Sequence, residues 1–278
     1  MPPVDEKLEK LKQFVYDKGK DGAVIAFSGG VDSVTLAAVC HKVLGEKAVA
    51  VTAVSFTYTS EEAEEAKKYA REIGIKHLQV KTSELENENF ALNPENRCYY
   101  CKEELLNRLV EVAKNLGFKA VFEGTNYSDL AGHRPGFKAI EEKANVYSPW
   151  AENRFTKEEI RNLAENMVIP VSDKPSLACL ASRLPFGERI TKDRLFRVES
   201  AERKIRGLAG VRQLRVRDHN DLARIEVGSD ERGLLFNREL MDRIAEELKK
   251  LGFKYVTMDL EGYRTGSMLQ TLQGSESP

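Results

Sequence analysis

The chain has 278 residues, 41% hydrophobic and 31% charged, with a formal net charge of −1. That balance suits a soluble globular protein of one large or two smaller domains, and it supplies no global basic field to draw the chain to nucleic acid. No apolar run approaches the ~18 residues of a membrane span. The charged, amphipathic start MPPVDEKLEKLKQF has no signal-peptide core. A cytoplasmic protein without membrane attachment is expected, and in that compartment the four cysteines are not read as structural disulfides.

In chain order, Leu8, Leu11, Phe14 and Val15 share one face of a helix over 5–18. A strand over 23–27 turns through Ser28-Gly29-Gly30 into a helix over 33–44. Residues 48–56 form a second strand. Ser60 opens a helix rich in acid at its start, which closes at Gly74, and 77–80 is a third strand. Residues 83–97 are polar and asparagine-rich and read as a surface loop. A helix over 101–116 stops at Gly117, and 120–123 is a fourth strand. Residues 128–150 are less regular. Thr156 to Glu159 read as a capping box opening a helix over 157–166, and 169–190 is irregular. A helix over 191–206, strands over 211–218 and 222–227, a helix over 231–250 and a strand over 255–259 complete the chain. The expected class is α/β. A parallel sheet with helices on both faces occupies 1–187, a smaller α+β domain occupies 188–272, and 273–278 is a disordered tail.

The turn after the first strand is a ready anion site. Adjacent glycines let backbone N–H groups approach a ligand, and the helix N-terminus favours negative charge. Ser28 and Ser33 add hydroxyls. Asp32 can cap the helix or hold a metal beside phosphates. The pattern is not a Walker loop, since no Gly-Lys-Ser/Thr follows. Nor is it a dinucleotide loop, since Gly29 and Gly30 are adjacent. SGGVDS resembles the pyrophosphate loop (PP-loop) of the ATP pyrophosphatases, which adenylylate a substrate and release pyrophosphate.

Cys98-Tyr99-Tyr100-Cys101 alone is ambiguous between a redox pair, half a zinc site and part of an iron–sulfur site. Cys40 falls on an apolar helix face and reads as a small buried hydrophobe. Cys179 sits among Pro, Lys, Ser and Arg, a context closer to a site, although a buried loop thiol is the plainer reading. The CxxC pair and one distant cysteine make three thiolates. That set can hold a [4Fe–4S] cube with one iron open to hydrosulfide. Gly124, Asn126 and Asp129 follow the fourth strand, at the sheet edge where ligands bind, though an ordinary βα turn accounts for each singly. In His133-Arg134, the arginine can take a phosphate. Besides Arg183, Arg215 and Arg217 share one face of a strand and suit a phosphate monoester, with a solvated strand face as the alternative. Glu226, in an apolar strand, either partners an arginine or faces a cleft.

SGGVDS, NPENRCYYCK (93–102), EGTN (123–126), HRPG (133–136), SDKPSLACLASRLPFGERIT (172–191), RVRDHNDLARIEV (215–227) and YVTMDLEGYRTGSM (255–268) together resemble the LarE family over nearly the whole chain. These are ATP-dependent sulfur transferases that build the nickel-pincer nucleotide cofactor. The resemblance implies an adenine nucleotide alpha hydrolase-like PP-loop domain with a small C-terminal domain, in a homo-oligomer that is often a hexamer. It implies a small nucleotide substrate, pyridinium-3,5-biscarboxylic acid mononucleotide. One carboxylate is adenylylated, pyrophosphate leaves, and sulfur from sulfide or another donor gives a thiocarboxylate. One branch of the family sacrifices a cysteine; the other carries three cysteines and a [4Fe–4S] cluster. Cys98, Cys101 and Cys179 place this chain in the cluster branch, while the nearness of Cys179 to the sacrificial position keeps that route open.

By motif match, Ser28, Gly29, Gly30, Asp32 and Ser33 hold ATP phosphates and Mg2+, with Gly124 and Asn126 beside them. Lys102, Ser182 and Cys179 line the reacting centre. Arg215 and Arg217 clamp the substrate phosphate, joined by Glu226 and Arg264. A tRNA thiolase, which would need a nucleic-acid surface, and a nucleotide-binding module without turnover are the competing readings.

Overall fold

The computed structural model describes residues 4–131, 135–169, 171–172, 178–264 and 266–269. His133 and Arg134, residues 173–177 of the segment before Cys179, and the tail from Gln273 lie outside the described residues. Cα packing divides the chain into two compact units, Met1–Glu84 with Asn96–Leu177, and Leu85–Glu95 with Ala178–Pro278.

The first unit is built from α1 (Val4–Gly19), β1 (Ala23–Ala26), α2 (Val31–Leu44), β2 (Ala48–Val54), α3 (Ser60–Ile73) and β3 (Lys76–Lys81). Beyond the segment that belongs to the second unit, α5 (Arg97–Asn115), β4 (Ala120–Phe122), α6 (Pro135–Glu141), β5 (Val146–Tyr147), α7 (Pro149–Glu152) and α8 (Lys157–Asn166) complete it. Its five strands are all parallel, in the order β3-β2-β1-β4-β5. Strand alternation sends Ala23 and Ile25 to one face, where α1, α2, α3 and α8 pack through Leu11, Leu36, Ala66 and Ile160. Val24 and Val121 point to the other face, against Leu106 and Leu109 of α5 and Ile140 of α6. Helices on both faces follow, as expected of a buried parallel sheet.

The chain order reverses between β1 and β4, which pair through Val24 and Val121. In such sheets the crevice at the carboxyl ends of the two strands is where ligands bind. The capping boxes that open α3 and α8 are both present, on Thr59 with Glu62 and on Thr156 with Glu159. Residues 128–150, irregular by sequence, hold a 3-10 turn, α6, β5 and α7.

The second unit holds α4 (Glu88–Ala91), α9 (Lys192–Ala209), β6 (Leu214–His219), β7 (Leu222–Val227), α10 (Arg238–Lys250) and β8 (Tyr255–Met258). β6 and β7 are antiparallel, and β8 joins β7 in parallel. Ile205, Ile244 and Leu248 of α9 and α10 bury the sheet face carrying Leu214, Val216, Ala223 and Ile225.

Two expectations are corrected here. Residues 83–97 are not a surface loop. Phe90, Ala91 and Asn93 are buried, and Asn93 takes a left-handed turn (φ 56°) that turns its amide onto the Pro185 carbonyl at 2.6 Å. The segment is also tied through its backbone, since the Gly187 and Ile190 amides donate to the Asn93 and Ala91 carbonyls at 2.9 and 2.8 Å. The helix over 231–250 begins only at Arg238, because the Asn237 side chain accepts from the Leu240 amide and caps it there. Among the described residues, no helix is long and apolar enough to cross a membrane.

Candidate nucleotide and sulfur-transfer sites

The loop from β1 to α2 is tied to itself. The Ser28 amide donates to Ser33 Oγ at 3.2 Å, the two hydroxyls lie 3.1 Å apart, and Ser33 Oγ donates to the Gly30 carbonyl at 3.0 Å. Gly29 has φ 72°, a left-handed conformation that side chains resist, and a Cβ there would lie 3.4 Å from the Ala66 backbone of α3. Gly30, at the N-cap of α2, has no side chain to cap the first-turn amides. Tyr58 donates its hydroxyl to the Ser28 carbonyl at 2.7 Å from the flank.

Asp32 does not cap its helix. Its carboxylate takes the Lys157 ammonium on one oxygen and the Asn126 amide on the other at 3.4 Å, while Trp150 Nε1 donates to its carbonyl at 3.0 Å. Burial raises the Asp32 pKa above the ordinary carboxylate value, and the Lys157 ammonium pulls against that rise. Gly124 lets the end of β4 pass close to this corner, since a Cβ there would lie 3.4 Å from Asp32 Cβ. Asn126, itself buried, accepts from the Asp129 amide at 3.1 Å. Ser28, Gly29, Gly30, Asp32, Ser33, Gly124 and Asn126 therefore lie together at this corner. One carboxylate beside a phosphate loop fits phosphate-bound Mg2+, which takes one or two protein carboxylates and fills its shell with phosphate oxygens and water.

Lys102 of α5 reaches Glu123 at the end of β4, 2.6 Å from Nζ to Oε2. Glu123 is fully buried and also accepts from Ser148 Oγ, from the Thr125 amide at 3.0 Å and from Thr125 Oγ1 at 2.8 Å. Burial pushes its pKa up, but the Lys102 ammonium and these donors outweigh that and hold it below the ordinary value. α5 starts at Arg97, four residues earlier than expected, so Cys98 and Cys101 are neighbours one turn apart on one helix. Cys98 is exposed and Cys101 half-buried, which fits two thiolate ligands. Cys40 is buried, and burial pushes its thiol pKa far up, which removes it from ligation. Cys179 belongs to the second unit and is exposed. Among the described residues, no three His, Cys, Asp or Glu side chains gather into a metal-binding group.

In the second unit Arg215 and Arg217 do share the sheet face opposite the helices, and both are buried. Arg217 pairs with Glu226 Oε2 through Nε at 2.9 Å and Nη2 at 2.6 Å, and its Nη1 donates to the Ser182 carbonyl at 3.0 Å. Glu226 is thus an arginine partner, shared with Arg224 at 3.1 Å. Arg215 lies over the Tyr263 ring, with its guanidinium carbon 5.2 Å from the centroid. Burial, and then the neighbouring Arg183 cation, bring its pKa down to about 10. The Glu202 carboxylate pulls against that fall, and a guanidinium takes an arriving oxyanion in a charge-assisted pair. Arg264 pairs with Glu261 and with Asp259 at 3.8 Å.

Sequence reasoning missed Lys157 and Glu123. Both carried a signal. Lys157 is a cation at the first position of a helix, where the helix dipole disfavours it. Glu123 is a carboxylate closing an apolar strand at the ligand edge of the sheet.

Residues 4–112 match the NAD synthase family. An uncharacterized protein of Synechocystis sp. is 43% identical over 97% of this chain and 99% of its own. The pyridinium-3,5-bisthiocarboxylic acid mononucleotide synthase of Lactiplantibacillus plantarum is 37% identical over 89% of each chain. An NH(3)-dependent NAD(+) synthetase of Pyrococcus horikoshii is 29% identical over 62% of this chain and 68% of its own.

Proposed function

The chain belongs to the LarE family, the family of the pyridinium-3,5-bisthiocarboxylic acid mononucleotide synthase, and we propose that it converts a carboxylate of pyridinium-3,5-biscarboxylic acid mononucleotide into a thiocarboxylate. It is an ATP-using enzyme. The observation that carries the reading is the reach of the match. The 251 aligned residues exceed either unit, so the likeness includes residues of both.

A substrate carboxylate oxygen attacks the α-phosphorus of ATP, the bond from that phosphorus to the bridging oxygen breaks, and pyrophosphate leaves. Hydrosulfide then attacks the activated carbonyl carbon, the bond to AMP breaks, and a proton is released. The Ser28–Ser33 loop cradles the phosphates, as backbone amides at a helix N-terminus do. Asp32 would hold a phosphate-bound Mg2+, with the Lys157 ammonium released to the phosphates. Glu123 fixes Lys102 so that its ammonium stands at the reacting centre. Arg215 takes the substrate phosphate, and Arg217, fixed on Glu226, lines the same face.

Cys98, Cys101 and Cys179 are the ligands proposed for a [4Fe–4S] cluster, which when bound supplies an open iron that can carry sulfide. The exposure of Cys179 supports a second reading, in which its own sulfur is given up. The oligomer and the cytoplasmic location belong to the same proposal.

Pyrophosphate release on mixing ATP with the dicarboxylate is the expected result, and its absence overturns the reading. Anaerobic purification with iron and sulfide analysis separates the two sulfur routes. About four irons per chain support the cluster. Loss of the mass of one hydrogen sulfide at Cys179, with at most one product per chain, supports the sacrificial route.

A further inference from the structure

Resting on that sulfur-transfer reading, we infer that Arg183, gripped by Glu202, is a positioning residue for Cys179. The two side chains are buried, at 3% and 2% exposure. Glu202, on α9, accepts from Arg183 Nε at 2.8 Å and Nη2 at 3.1 Å, a two-point grip that fixes the plane of the guanidinium. Glu202 is itself anchored, because its Oε1 accepts from the Val216 amide of β6 at 3.0 Å. Burial pushes the Glu202 pKa up, and the Arg183 cation, with Arg215 and Arg206 behind it, outweighs that and holds it below the ordinary value.

The remaining nitrogen of the guanidinium, Nη1, points into one short turn. It donates to the Ala178 carbonyl, to the Cys179 carbonyl at 3.1 Å and to Ser182 Oγ at 3.1 Å. From the other side Arg217, held by Glu226, donates to the Ser182 carbonyl at 3.0 Å. Two buried arginine–glutamate pairs therefore hold both ends of the turn. Leu180, Ala181 and Leu184 of the same segment are buried, while Cys179 is exposed. The turn is held through its carbonyls and its buried apolar side chains, while Cys179 stays exposed.

A buried ion pair adds little stability over apolar side chains of the same volume. Its distinctive contribution here is direction, a rigid fork that fixes where the backbone of Cys179 lies. Sulfur transfer needs that, since a reacting atom misplaced by about 1 Å can cost about a hundredfold in rate.

The test uses Glu202→Gln, which keeps shape and removes charge, and Arg183→Lys, which keeps charge and removes the fork. Hydrogen exchange is followed in the 178–185 peptide and in β6 and β7, and pyrophosphate is counted per thiocarboxylate formed. The expected result is faster exchange in 178–185 alone, with an unchanged KM for ATP. Thiocarboxylate formation falls about tenfold or more in kcat while pyrophosphate release continues, so their ratio rises above that of the wild type. If Glu202→Gln does not fold, Arg183→Lys carries the same comparison. Unchanged exchange and an unchanged ratio overturn the inference. So does loosening of β6 and β7 together with the turn in Arg183→Lys, which marks a role in the whole fold. If the wild type releases no pyrophosphate with the dicarboxylate, the sulfur-transfer reading fails, and the exchange comparison by itself decides whether Arg183 holds the turn.

Discussion

The ammonium of Lys157 rests on the carboxylate of Asp32, 125 positions away in the chain, at the mouth of the phosphate loop. ATP brings charge that competes for both partners. Lys157→Gln is expected to lower kcat/KM for pyrophosphate release about a hundredfold, the scale of losing one preorganised donor. Asp32→Ala is expected to abolish release without unfolding the chain. Retained release in Asp32→Ala removes the loop from the mechanism.

Asp32 and Glu123 respond to pH with opposite sign. Burial raises the Asp32 pKa above its ordinary 3.8, so the folded state binds the extra proton and stability from this group declines as pH rises through that window. Asp32→Asn is therefore expected to be no less thermally stable than wild type at pH 7, though inactive; half-exposed Lys157 can return to water. A clear loss of melting temperature in Asp32→Asn contradicts this balance.

The pKa of Glu123 is held below its ordinary 4.5, so its contribution is full above that value and is lost as pH falls through the lowered folded value. Melting temperature measured between about pH 3 and 6 is expected to fall more steeply with acid in the wild type than in Glu123→Gln. Parallel curves would show that the Lys102 pair contributes nothing to the folded state's pH dependence.

Among the described residues, Arg217→Ala leaves Glu226 with Arg224 and Ser267 as its side-chain partners. Breaking one side of a buried pair costs about 3 kcal/mol, which urea denaturation of the variant reads directly. Arg215→Lys keeps a charge but loses the fork, and is expected to raise the KM for substrate while ATP binding stays intact. An unchanged KM in Arg215→Lys leaves the arginines a structural role only.

Replacing Cys98, Cys101 or Cys179 by Ala is expected to remove iron, sulfide and turnover together, whereas Cys40→Ala keeps all three. Cys40 has no exposed surface and a thiol that burial keeps protonated. Full iron content in any one of the first three variants excludes that residue as a ligand.

The local signals were sufficient for the nucleotide loop and for the alternation of strands and helices. Val24 to Ala26, the paired glycines of 29 and 30, and the apolar spacing of α2 are short-range patterns, and parallel packing follows from them. Partners distant in sequence were not legible. Nothing in the stretch around Thr156 says that Lys157 meets Asp32, and Phe90 inside a polar run gives no sign of what buries it. The same holds for the arginines of β6. Alternation put Arg215 and Arg217 on one face, but only the folded sheet sets Arg217 on Glu226 and under Ser182, and Arg183 on Glu202. Periodicity reports which way a side chain points. Which charge it meets there is decided by packing between segments far apart in the chain, because a buried ion must find its counter-ion wherever the fold brings one.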